Sequence, residues 1–126
     1  MTEQLQNMKL TICQQLNTVT VQLNEQARDW FQRRRELQQL QEQLDMIERA
    51  IIAKVTHMSM QEEYKKELSN ADKRTAKVQE FLQLDNRKLL DEIKLCKLAV
   101  EMSAHLMECT DRLFRMLIAQ SRLLGQ

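Results

Sequence analysis

The stretch LNTVTVQLNEQARDWFQRRRELQQLQEQLDMIERAIIAKVTHM, residues 16–58, decides the fold. Every seventh residue in it is apolar: Leu16, Leu23, Trp30, Leu37, Leu44, Ile51 and Met58. Leu5, Ile12, Val19, Leu40 and Ile47 make a second row beside the first. Two apolar rows on a seven-residue repeat are the pattern of a helix that buries a seam against another helix. Outside the seam the stretch is rich in Gln, Glu and Arg, which favour helix. Gln26, Arg33, Lys54 and Gln61 interrupt the second row. Polar residues in a seam lower stability but fix register and partner choice, so they point to a specific pairing.

Working outward, the 126-residue chain contains no proline, and its single glycine is Gly125. The usual means of making hairpin turns or a phosphate-cradling loop is therefore missing, which argues against strands. Aromatic residues are only 4% of the chain and charged residues 29%, composition better suited to a helical bundle than to a wide core. The expected fold class is all-α, built of long coiled-coil helices. An antiparallel helical hairpin is the first expectation, and one continuous helix in a parallel coiled coil is the alternative.

The apolar beat thins between residues 61 and 74, and two signals there favour a break. Ser59 and Glu62 have capping-box spacing, and Ser69-Asn70-Ala71-Asp72 carries side chains that compete for backbone hydrogen bonds. The expected organisation is a first helix over residues 1–68, a turn over 69–72 and a second helix over 73–126. Folding about residue 70 would set Trp30 opposite Thr110, Leu37 opposite Ser103, Ile47 opposite Ile93 and Lys54 opposite Asn86.

The second half has a broader apolar face than the first. Leu82, Leu89, Cys96, Ser103, Thr110, Leu117 and Leu124 form one row, and Leu95, Met102, Cys109, Met116 and Leu123 form another, flanked by Ala99, Leu106 and Leu113. Lys94, Glu101, Glu108, Arg115 and Arg122 mark the polar side. Such a face covers about half the circumference, more than a two-stranded seam uses, so this helix expects at least two neighbours. The expected partner-helix seam is Leu16, Leu23, Trp30, Leu37, Leu44, Ile51 and Met58 in the first half. In the second half it is Leu89, Ile93, Val100, Met102, Leu106, Met107, Leu113, Phe114, Met116 and Leu117.

Other chemistries find little support. Net charge is +1 with acids and bases interleaved, which gives no electrostatic footprint for nucleic acid. Arg33 to Arg35 is the only basic run, and Asp29 stands one turn before it. Cys13, Cys96 and Cys109 are too few and too widely spaced for a disulfide framework, and reduced intracellular thiols are expected. His105 and Cys109 are four apart on one face, but zinc needs four ligands and no second pair stands nearby. No catalytic, cofactor-binding or metal residue is assigned, and no cofactor or small-molecule substrate is expected. No signal or transit peptide is expected, since Met1-Thr2-Glu3-Gln4 is acidic and polar where such a segment starts basic and turns apolar, and no membrane span is expected, since no apolar run approaches about 18 residues.

These observations lead to a non-enzymatic structural or scaffold subunit, assembled by coiled-coil packing into a larger hetero-oligomeric intracellular complex. Cytoskeletal, centrosomal, kinetochore, ciliary or tethering assemblies use small helical subunits of this general look. Cytoplasmic or cytoskeletal residence is expected ahead of nuclear. One alternative is a self-sufficient homo-oligomeric spacer. Another is a peripheral membrane-surface amphipathic helix, with residues 113–119 as its most apolar run. Glu101, Glu108 and Asp111 dilute the basic face that such a helix would need.

Overall fold

The computed structural model describes residues 2–125; residues 1 and 126, the outer ends of the two expected segments, lie outside the described residues. Three α-helices and one 3-10 turn follow in the order α1 (Thr2–Ser59), η1 (Glu62–Tyr64), α2 (Ala71–Asp85) and α3 (Arg87–Gly125). No strand occurs among the described residues. Contacts divide the chain into two compact units, Met1–Arg34 with Leu98–Gln126, and Arg35–Lys97.

In the second unit the core is Val55, Leu68, Val78 and Leu82, with Leu44, Ile47, Ile51, Met58, Tyr64 and Phe81 packed around it. Val55 is 1% exposed and Leu68 2%, so the deepest positions come from the end of α1 and from the connection that follows it. Along α1 the covered positions run Ile47, Ile51, Val55 and Met58, a 4-4-3 spacing in place of the 3-4 alternation before it. A four-residue insertion of this kind locally unwinds the stripe toward an eleven-residue repeat. It also corrects the expected place of Lys54. Burying an unpaired ammonium is costly. Lys54 is instead exposed, with Nζ 4.5 Å from the centre of the Phe81 ring, and Val55 takes the core position.

The connection uses both break signals, but not as a four-residue turn. Helix α1 ends at Ser59, short of the expected residue 68. The Ser59 hydroxyl donates back to the carbonyl of Thr56 at 2.6 Å, closing the helix it ends. It does not form a capping box with Glu62, because Gln61 is the residue that precedes η1 and makes no side-chain cap. The second signal behaves as expected: Asn70 caps α2 by accepting from the Lys73 amide at 2.8 Å. Two side chains of the first turn of α2 satisfy carbonyls of the connection, Arg74 reaching Leu68 O at 3.2 Å and Lys73 reaching Lys66 O at 3.3 Å. Leu68 thus sits in the core while polar neighbours bond its backbone.

A further discontinuity falls at Asn86, between α2 and α3, with φ −127° and ψ 23°. Its amide still bonds Leu82 O at 3.0 Å, and its carbonyl accepts from Leu90 at 3.1 Å. The backbone ladder is kept on both sides, so the site is a kink. Asn competes with helix through its own side chain, which explains why the bend falls here.

In the first unit the early part of α1 packs on the late part of α3 with opposite chain directions. Met8 and Ile12 lie beside Leu123 and Leu124, and further along Asp29 lies beside Ser103. Ile12, Val19 and Leu117 are buried. In the middle of this seam the α3 side is small and polar, with Ser103 and Thr110 buried, and it faces half-buried Gln26 and Trp30 on α1.

Candidate interaction surface

The seam of α3 in the first unit runs Val100, Ser103, Met107, Thr110, Phe114, Leu117, Ser121 and Leu124, all half-buried or buried. These positions alternate steps of three and four residues, which keeps them on one helix face. Both buried hydroxyls are hydrogen-bonded, one across the seam and one within its own helix. Ser103 Oγ donates to Asp29 Oδ2 at 3.3 Å, and Thr110 Oγ1 donates to the carbonyl of Leu106 at 3.0 Å. Asp29 also accepts from Arg33 Nε at 2.9 Å, so one carboxylate holds a seam hydroxyl and a guanidinium together. Two atoms nearby are buried without a hydrogen-bond partner, Gln26 Oε1 and Trp30 Nε1.

Beside this seam α3 carries a second apolar row that α1 leaves open. Leu98, Met102, Leu106, Leu113, Met116 and Leu123 are all exposed, Met102 at 64% and Leu106 at 54%. Cys109 lies in the same row and is exposed. Along α1 the facing positions are Met8, Thr11, Gln15, Thr18 and Gln22, followed by Asp29 and Arg33. The crease has aliphatic side chains on the α3 wall, and amides, hydroxyls and the Asp29–Arg33 ion pair on the α1 wall. One groove in it, lined by Asp29, Arg33, Met102, His105, Leu106 and Cys109, measures about 670 Å³. An apolar wall next to hydrogen-bonding groups at helical spacing suits an amphipathic helix laid along it.

Most of the expected partner-helix residues are occupied within the chain. Leu16, Leu23, Trp30, Leu37, Leu44, Ile51, Met58, Leu89, Val100, Met107 and Phe114 are half-buried, and Ile93 and Leu117 are buried. Only Met102, Leu106, Leu113 and Met116 of that set stand open to solvent. Leu98 and the polar α1 wall were not anticipated. The signal for them was available only once the facing register was known, since Thr and Gln at seven-residue spacing look like ordinary solvated helix.

The His105–Cys109 pair lies on this surface, Nε2 to Sγ 3.8 Å, with His105 Nδ1 3.9 Å from Glu108. Among the described residues no group of three or more His, Cys, Asp or Glu side chains is placed to hold a metal ion. No helix among them is long and apolar enough to cross a membrane. Comparison with known proteins finds no match: no family model, curated protein or solved structure is similar to this chain.

Proposed function

We propose that the chain is a non-enzymatic structural subunit that works by coiled-coil packing of its helices against those of other chains, in a larger hetero-oligomeric intracellular assembly of cytoskeletal or tethering type. In this reading the early part of α1 and the late part of α3 run antiparallel and satisfy the inner seam of the first unit. The outer strip of α3 is the docking face. The observation that carries it is the row Leu98, Met102, Leu106, Leu113, Met116 and Leu123, exposed at helical spacing on one wall of an open crease. Scattered exposed apolar residues are ordinary on a protein surface, whereas a contiguous row marks an interaction site. Each large side chain gains about 1.5 to 3 kcal/mol when fully buried, so this row is enough to hold a partner helix.

The test is to replace Met102, Leu106, Leu113 and Met116 together by Gln and recover the tagged chain from its native source. The expected result is unchanged helicity and loss of the proteins that accompany the unaltered chain. Recovery of the same assembly would overturn the reading.

A further inference from the structure

Three soft or borderline donors share one face of α3: the Met102 thioether, the His105 imidazole and the Cys109 thiol. Steps of three and then four residues bring them round to the same side of the helix. All three line the groove of about 670 Å³, and all three are exposed, so a small ion reaches them from solvent.

Two of the donors already stand at a shared distance. His105 Nε2 lies 3.8 Å from Cys109 Sγ. A metal ion held by both at a trigonal angle, with bonds of about 2.0 Å to nitrogen and about 2.3 Å to sulfur, sets those atoms about 3.7 Å apart. The pair therefore needs almost no movement to hold one ion. On the other side of the ring, Nδ1 lies 3.9 Å from Glu108 Oε2. A carboxylate there favours the ring proton on Nδ1 and leaves the Nε2 lone pair for a metal, the usual outer partner of a ligating histidine. Met102 stands one turn earlier, and its three rotatable bonds let the sulfur swing toward the open side of the pair.

Donor type and charge select the ion. Thiolate and thioether sulfur with one imidazole suit a soft cation, and copper(I) is satisfied by these three, whereas zinc needs a fourth ligand. One thiolate also neutralises a monovalent ion. A divalent ion leaves a net positive charge in a groove that already holds the Arg33 guanidinium, itself paired with Asp29. We propose that Met102, His105 and Cys109 form a trigonal binding site for copper(I). On binding, the Cys109 thiol gives up its proton to solvent and a sulfur–copper bond takes its place; the copper enters and stays as copper(I), so no electron moves. The site does not depend on the docking reading, because one chain supplies every ligand.

Competition for copper(I) between the reduced chain and the coloured chelator bicinchoninate, without oxygen, tests the proposal. C13S/C96S, with helicity checked by circular dichroism, removes the other thiols. It is expected to withdraw a single copper per chain, with a thiolate-to-copper(I) ultraviolet band and release of one proton per copper. Adding C109S is expected to abolish binding, and adding H105Q or M102L to weaken it about tenfold or more. In the unaltered chain, C109S alone is expected to lower the copper capacity by one. No copper withdrawn, or an affinity that neither H105Q nor M102L changes, overturns the site, since the second result describes a bare thiol. Zn(II) in roughly tenfold excess is expected to leave the copper in place, and displacement by it overturns the choice of copper(I). These readouts use the chain alone, so their failure leaves the docking face standing.

Discussion

Ser103 on α3 donates its hydroxyl to the carboxylate of Asp29 on α1 across 3.3 Å. Folding about residue 70 would instead have brought Asp29 level with Asp111, so α3 is displaced by about one heptad from that register. In the second unit the connection between α1 and α2 occupies residues 60–70 and not 69–72. A seven-residue pattern is blind to a slip of seven, and only a unique polar contact such as this one distinguishes the two registers.

Cross-linking reads the register directly. With the three native cysteines changed to Ser, D29C/S103C is expected to form an intrachain disulfide readily under mild oxidation, and D29C/D111C to remain reduced. The opposite pattern, seen by mass spectrometry after cleavage, would reinstate the fold about residue 70.

The polar seam of the first unit should be improvable. Gln26 Oε1 is buried without a partner. Replacing Gln26 by Leu removes that acceptor and adds apolar contact beside Trp30, with an expected gain of about 1 kcal/mol. Urea unfolding followed by tryptophan fluorescence measures it, and a loss of stability would show that the amide is satisfied in solution.

The connection should depend on one apolar anchor more than on its cap. Leu68→Ala is expected to cost about 2 to 4 kcal/mol, because it opens a cavity at a residue 2% exposed. Asn70→Ala, which loses the cap to Lys73, is expected to cost about 1 kcal/mol. Equal costs in thermal melts would contradict the packing described for Leu68.

Positions 54 and 55 should exchange their apparent roles. Lys54→Ala loses only an exposed contact with the Phe81 ring and should cost under about 1 kcal/mol. Val55→Lys places an unpaired charge at the most covered site among the described residues and should abolish cooperative melting by circular dichroism. A mild effect at Val55 would return Lys54 to the seam.

The open strip should be neutral to folding. Leu106→Gln and Met116→Gln, both more than half exposed, are expected to change the stability of the single chain by no more than about 0.5 kcal/mol. Differential scanning measurements at low concentration check this, and a large loss would mean that the strip is covered within the chain.

Helical class and the two rows of α1 were legible because a sustained seven-residue beat without proline has few other outcomes. The surplus apolar width of α3 was legible too, since Met102, Leu106, Leu113 and Met116 are more than one seam needs. Three features were not. The 4-4-3 step at Ile47, Ile51, Val55 and Met58 shows only one residue of difference from the regular beat, and Lys54 with Val55 offers both readings side by side. The kink at Asn86 lies in a backbone ladder that stays bonded on both sides, so its only sequence trace is the pair Asp85-Asn86. The division of the apolar residues between an inner seam and an outer wall follows from register, which the repeat does not encode.

The corner between α1 and α2 is closed by bonds from nearby residues. Ser59 holds Thr56, Asn70 holds Lys73, and Lys73 and Arg74 reach back to Lys66 and Leu68. Its polar groups borrow nothing from distant parts of the chain, and neither glycine nor proline shapes it. A segment of this kind is a portable part: moved between two other helices with Leu68 still covered, it would carry its bend with it.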